Sequence, residues 1–141
     1  MTTQDPFDLA RFLAAQEPVI EAARAELAQG RKRTHWMWFV FPQITGLGAS
    51  AMSELYAIRS LDEAKAYLAH PVLGARLREC AGLVLRAKKR AVREIFGAPD
   101  DLKFQSCMTL FARAAPDEPL FAQALAQFFD GIPDRSTLAR I

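Results

Sequence analysis

Cysteine and histidine are scarce, with two of each in 141 residues. No Cys-x-x-Cys or His-x-x-x-His spacing occurs, so the donor sets of a structural zinc are missing and no metal or other cofactor is expected. Cys80 and Cys107 sit in apolar, helix-like surroundings and read as reduced core thiols of a cytoplasmic protein. Glycine is sparse too. Gly46-Leu47-Gly48 lacks the lysine and the further glycines of a phosphate-cradling loop and reads as a turn. No Gly-x-Ser-x-Gly nucleophile elbow exists. The longest apolar run, Trp36 to Pro42, is about a third of the ~20 residues that span a bilayer, so no membrane partner is expected. The first residues, Met1 to Pro6, show no basic stretch followed by an apolar one, which argues against a signal peptide. Neither sign of charge dominates. Eighteen basic and 16 acidic residues leave a net charge of +2, which argues against nucleic acid as a partner.

What is abundant is apolar surface. Hydrophobic residues make up 51% of the chain, including ten phenylalanines and two tryptophans. Such a chain must fold by itself. The patterning predicts an all-α fold: one compact helical domain over residues 1–141, built of about six to eight short helices, with residues 132–141 as a C-terminal tail that docks or frays. Asp5 caps a first helix with Pro6 at its first position, and Pro18 opens a second that ends at Gly30. Ser60 to Glu63 is a capping-box sequence. Leu73, Leu77, Cys80, Ala81 and Val84 form one buried helical stripe. Pro99-Asp100-Asp101 and Asp117-Glu118-Pro119 open the last two long helices. Thr34 to Pro42 has strand-like composition, but it lacks a partner strand. It reads as a short buried helix capped by Thr34 and stopped by Pro42.

Several of these strings are distinctive. Arg31-Lys32-Arg33-Thr34-His35-Trp36-Met37-Trp38-Phe39-Val40-Phe41-Pro42-Gln43 resembles the hallmark of the domain-of-unknown-function family numbered 1810. So do Tyr56-Ala57-Ile58, His70-Pro71-Val72-Leu73-Gly74, Ile95-Phe96-Gly97 and Met108-Thr109-Leu110-Phe111. The resemblance implies a helical domain of about this length and no established activity. Two departures stand out: Lys88-Lys89-Arg90, where a small turn is common, and Cys107, where a serine is common. Some relatives carry the label calpastatin, an inhibitor that works as a disordered chain. The aromatic content here argues against that label.

The strongest candidate site is Arg31 to Gln43. Arg31, Lys32, Arg33 and Thr34 precede a helix start, where free N–H groups favour anions. Trp36 and Trp38 offer flat surfaces, and Gln43 and Lys103 offer polar contacts. Two residues apart on a helix, the tryptophans cannot share a face, so one is free to line a cleft. His35 and Asp100 are the candidate catalytic pair, with the carboxylate serving the imidazole as general base. Asp100 or Asp101 reads most simply as a helix cap, and Ser106 and Thr109 follow on the same helix. The expected function is binding or processing of a small anionic, nucleotide-like metabolite. The alternative is a non-catalytic protein-interaction module or homodimer scaffold. The basic run Arg86 to Arg93 reads as a solvated helix face or a contact for a polyanion, with no aromatic residue interleaved.

Overall fold

A computed structural model describes residues 5–48 and 50–141; the leader reading of residues 1–4 lies outside these. Ten helices are present among the described residues: α1 (Ala10–Gln16), α2 (Ile20–Ala28), α3 (Met37–Val40), α4 (Ala51–Leu55), α5 (Leu61–Ala69), α6 (Leu73–Arg86), α7 (Val92–Phe96), α8 (Asp100–Ala114), α9 (Pro119–Phe129) and α10 (Arg135–Leu138). That exceeds the expected six to eight, because α3, α4, α7 and α10 are single turns bracketed by caps and glycines. The only β pairing among the described residues is a bridge between Ile44 and Ile58. No described helix is long and apolar enough to cross a membrane.

Helix α8 is the axis. Phe104, Cys107, Met108, Leu110 and Phe111 are all fully buried, so the helix is apolar on more than one side. Helices α5, α7, α9 and α10 pack on it, and α6 lies against α2, α5 and α9. The predicted α6 stripe faces inward in full: Leu73, Leu77, Cys80, Ala81 and Val84 are buried. An aromatic cluster fastens the two halves. Phe104 packs edge-on to Phe41 at 5.1 Å and stacks on Phe96 at 4.9 Å. Phe12 meets Tyr67 edge-on at 5.2 Å, and Tyr67 leans on Phe111 at 5.5 Å.

The polar groups inside are satisfied. Gln16 donates to the Phe39 carbonyl at 2.7 Å and to the Tyr67 hydroxyl at 2.9 Å. Arg11 pairs with buried Glu63 at 2.8 Å and donates to the Ala57 carbonyl at 2.7 Å.

Several expected starts shift, among them the second helix, which begins at Ile20 and not at Pro18, and one capping box is half made. Helix α1 begins at Ala10, because Asp8 adopts φ +52 and breaks the turn after Pro6. Asp5 still caps, accepting from the Leu9 and Ala10 N–H groups at 2.8 and 2.9 Å. The Ser60 hydroxyl accepts from the Glu63 N–H at 3.1 Å, but Glu63 turns its carboxylate to Arg11 and the Arg59 N–H, so half of the capping box forms. Residues Thr34 to Pro42 are helical only over α3, whose cap residue is Trp36; Thr34 does not cap it. Residues 132–141 carry α10, and Asp134 ties it to α8: its N–H donates to Thr109 Oγ1 at 2.9 Å, and its carboxylate accepts from Ser106 Oγ at 3.2 Å.

Phe104→Ala is expected to remove about 3–5 kcal/mol of stability, because it opens a cavity among four aromatic rings. Urea unfolding measures this; a loss below about 1 kcal/mol would show that α8 is not the axis.

Candidate functional site

The segment between α2 and α3 is organised from below. Glu26, on the last turns of α2, is buried and accepts four hydrogen bonds. They come from the Arg33 N–H (2.7 Å), the Thr34 N–H (2.9 Å), the Thr34 hydroxyl (2.6 Å) and the Trp36 indole N–H (2.9 Å). Burial would raise its pKa. The Thr34 hydroxyl, the two backbone N–H groups and the indole outweigh burial and hold it at about 2.

That anchorage sorts the side chains. Trp36 goes inward and is 1% exposed. Arg31 and Arg33 point to solvent and line neither hollow of the cleft described next. Thr34 has given its hydroxyl to Glu26. Lys32 alone turns under the segment and pairs with Asp100 at 2.9 Å; its side chain is 8% exposed.

Asp100 opens α8 and bridges two ammonium groups, Lys32 on one oxygen and Lys103 on the other, both at 2.9 Å. Burial opposes its ionisation, but hydrogen bonds from Lys103 and Lys32 hold its pKa below the ordinary carboxylate value. The expected pairing with His35 is therefore not made, nor does Asp100 cap α8; Pro99 is the cap residue. His35 is exposed at the rim.

Lys103 Nζ sits 4.0 Å above the Trp38 ring. Trp38 and Lys103 form a partition between two hollows. The smaller, about 230 Å³, is bordered by Lys32, His35, Trp36, Met52 and Asp100. The larger, about 340 Å³, is bordered by Gln43, Gly48, Leu102, Ser106 and Asp134. Gln43 is held in place by its carbonyl, which accepts from the Ile58 N–H at 2.8 Å. Gly48 is required at the wall, since a Cβ there would lie 2.6 Å from the Ser53 side chain.

The structure thus brings Lys32, His35, Trp38, Gln43, Asp100 and Lys103 to one double hollow, and leaves Arg31, Arg33 and Thr34 outside it, with Trp36 in the core. Sequence reasoning missed Glu26 and Asp134. The partners of Glu26 lie seven to ten residues away with no local pattern to mark them, while Asp134, a local cap for α10 through Thr137, is tied to α8 by partners 25 and 28 residues away. A third hollow, about 490 Å³ beside Phe7, Leu9 and Leu13, is apolar, and its polar side chains are spent: Asp5 caps α1, and His70 Nδ1 accepts from the Val72 and Leu73 N–H groups. No three His, Cys, Asp or Glu side chains converge as metal ligands would among the described residues. Burial pushes the Cys80 thiol up to about 12 and raises Cys107, so neither offers a thiolate.

A family profile described as protein of unknown function (DUF1810) matches residues 6–141. The chain belongs to the DUF1810 family. Among solved structures it is similar to the conserved hypothetical protein Rv1873 from Mycobacterium tuberculosis. The two share 56% identity over 96% of each chain, with a TM-score of 0.94. No curated protein matches it. For this DUF1810 chain, the cleft itself is therefore the source of any functional argument.

Glu26→Ala should lower stability at neutral pH by about 2–4 kcal/mol, because four donors lose their acceptor. Glu26 ionises near 2 when folded, against an ordinary 4.5. Its contribution is thus complete above about pH 4.5 and drains as pH falls toward 2. Urea unfolding across that range should show a weaker acid dependence in the variant; an unchanged one would contradict the assignment.

Proposed function

We propose that the double hollow binds a small anionic, nucleotide-like metabolite, with a flat ring against Trp38 and the anionic group against Lys32 and Lys103. One observation carries this reading: two ammonium groups converge on a single carboxylate beside a half-buried indole. In the smaller hollow two cations to one anion leave a positive charge in a partly desolvated place, where it attracts an anion more strongly than on open surface, while the Asp134 carboxylate on the larger hollow's wall turns the anionic group toward the smaller one. Each ammonium spends one donor on Asp100 and keeps two. Asp100 acts as the brace that points both at the hollow. Gln43 and Ser106 supply the uncharged polar contacts that fix a ligand's orientation. The helix-end origin of the positive field is dropped, since α3 is a single turn. His35 is the group on the rim placed to move a proton if the ligand is processed and not only held.

The alternative, a non-catalytic interaction module or homodimer scaffold, has one observation in its favour. Leu102 and Ile132 are 59% and 58% exposed, and Gln105 ties the two segments by donating to the Ile132 carbonyl. A dimer that Leu102→Glu dissolves would favour it.

Binding is tested by titrating AMP, ADP and ribose 5-phosphate against tryptophan fluorescence and thermal midpoint. Trp38 should report ligand more strongly than buried Trp36, which borders the smaller hollow, so Trp38→Phe should remove most of the optical signal. Lys103→Met should weaken binding about tenfold or more, that is by about 1.4 kcal/mol. If no probe shifts either signal, or Lys103→Met binds as well as the parent, the reading fails.

A further inference from the structure

The net charge of +2 conceals a division of the surface. Eight of the 18 basic residues fall in two short segments, 29–35 and 86–95, which hold one acidic residue, Glu94. The rest of the chain carries ten basic and fifteen acidic residues. In sequence the two basic segments are some fifty residues apart. In the fold they are neighbours. The Lys32 N–H donates to the Ile95 carbonyl at 2.6 Å. The Arg90 side chain lies over Gly30, close enough that a Cβ there would be 3.0 Å from Nε. Arg86 and Arg90 share a shallow hollow of about 180 Å³ with the end of α2.

Apart from Lys32, which is drawn into the cleft, these cations are exposed: Arg31 and Arg33 from one segment, and Arg86, Lys88, Lys89, Arg90 and Arg93 from the other. None has a side-chain hydrogen bond or ion pair among the described residues. Of the ten basic residues elsewhere, Arg11, Arg24, Arg76, Arg78 and Lys103 are paired with a carboxylate and the other five are not among the described residues, so it is the concentration of these seven in two adjoining segments that sets them apart. Nearby Glu26 is buried and spent on four donors, and Glu94 accepts from the Ala91 N–H. Seven exposed cations on two adjoining segments repel one another, a cost that a polyanionic partner would offset.

We propose that this face is a sequence-independent contact for the phosphate backbone of double-stranded nucleic acid. The composition of the face selects that partner. Five of the seven cations are arginines, whose planar fork matches phosphate oxygens. A protein partner would be expected to offer a desolvated apolar or aromatic anchor, and a membrane contact is strengthened by an inserting apolar side chain. The large exposed apolar residues, Met52, Leu55, Val72, Leu102 and Ile132, all lie outside both segments. No exposed Phe, Tyr or Trp stands among the cations, and the one exposed ring, the His35 imidazole, sits at the rim of the cleft, which is less than the run of stacking rings that single strands require. What remains is charge spread over two adjoining segments, the requirement of duplex backbone binding. The proposal is independent of the ligand reading of the cleft.

Fluorescence anisotropy with a duplex of about 20 base pairs, first at about 50 mM salt and then across a salt series, tests it. Micromolar binding is expected, with log Kd rising against log salt at a slope of about 4 or more. The quadruple variant Arg86→Gln, Lys88→Gln, Lys89→Gln, Arg90→Gln should lose at least about tenfold in affinity with an unchanged thermal midpoint. Should that variant unfold, Lys88→Gln with Lys89→Gln, both on an exposed turn, should lower the slope by about 2. The proposal is overturned by absence of binding at low salt, by binding indifferent to salt, or by variants that bind like the parent. It is equally overturned if polyglutamate, or vesicles rich in phosphatidylserine, bind as tightly as the duplex.

Discussion

A single buried carboxylate, Glu26, decides what the most distinctive segment of this chain can do. Desolvating a carboxylate is costly unless donors replace the lost water. Here four do, two from the backbone and two from side chains. Those bonds fix the path of residues 33–36 and so dictate where each neighbour points. Trp36 must go to the core, because its indole N–H is one of the four. Trp38, two residues on, then faces the other way. Lys32 dips under the segment, and Arg31 and Arg33 are left outside. One run of cations thereby serves two surfaces.

The cleft depends on a second tie. The Lys32–Asp100–Lys103 bridge fastens the segment to the first turn of α8 and sets a cation over the Trp38 ring. The partition it makes rests on rigid neighbours, with Phe41, Phe96 and Phe104 packed edge and face behind it. The far wall comes from the end of the chain, where Asp134 is pinned to Ser106 and Thr109. A site assembled from a loop, a long helix and a chain end requires the whole domain to be folded before it exists.

How much of this could be read beforehand follows from the range of the forces involved. The helical class and the α6 stripe are periodic signals carried by neighbouring residues, and they stand in the sequence plainly. Caps are local too, yet Ser60 delivered half of its box because Glu63 found a stronger partner in Arg11, 52 residues away. Thr34 looked like a cap for the same local reason, and a carboxylate eight positions earlier took its hydroxyl. For the cleft, residue types gave Lys32, His35, Trp38, Gln43, Asp100 and Lys103 as candidates. They could not tell Lys32 from Arg31 and Arg33, since the choice is made by Glu26 and Asp100 from outside the segment. Both basic runs stand in the sequence, but their adjacency does not, because it arises when residue 32 meets residue 95.

Backbone amide hydrogen exchange at Arg33 and Thr34 tests the central role of Glu26 most directly. Both amides sit in an exposed segment with no helix around them, and both are bonded to that one carboxylate. Strong protection in the parent, lost in Glu26→Ala while the amides of α8 stay protected, is the predicted result. Exchange in the parent at the rate of an unstructured peptide would contradict the account.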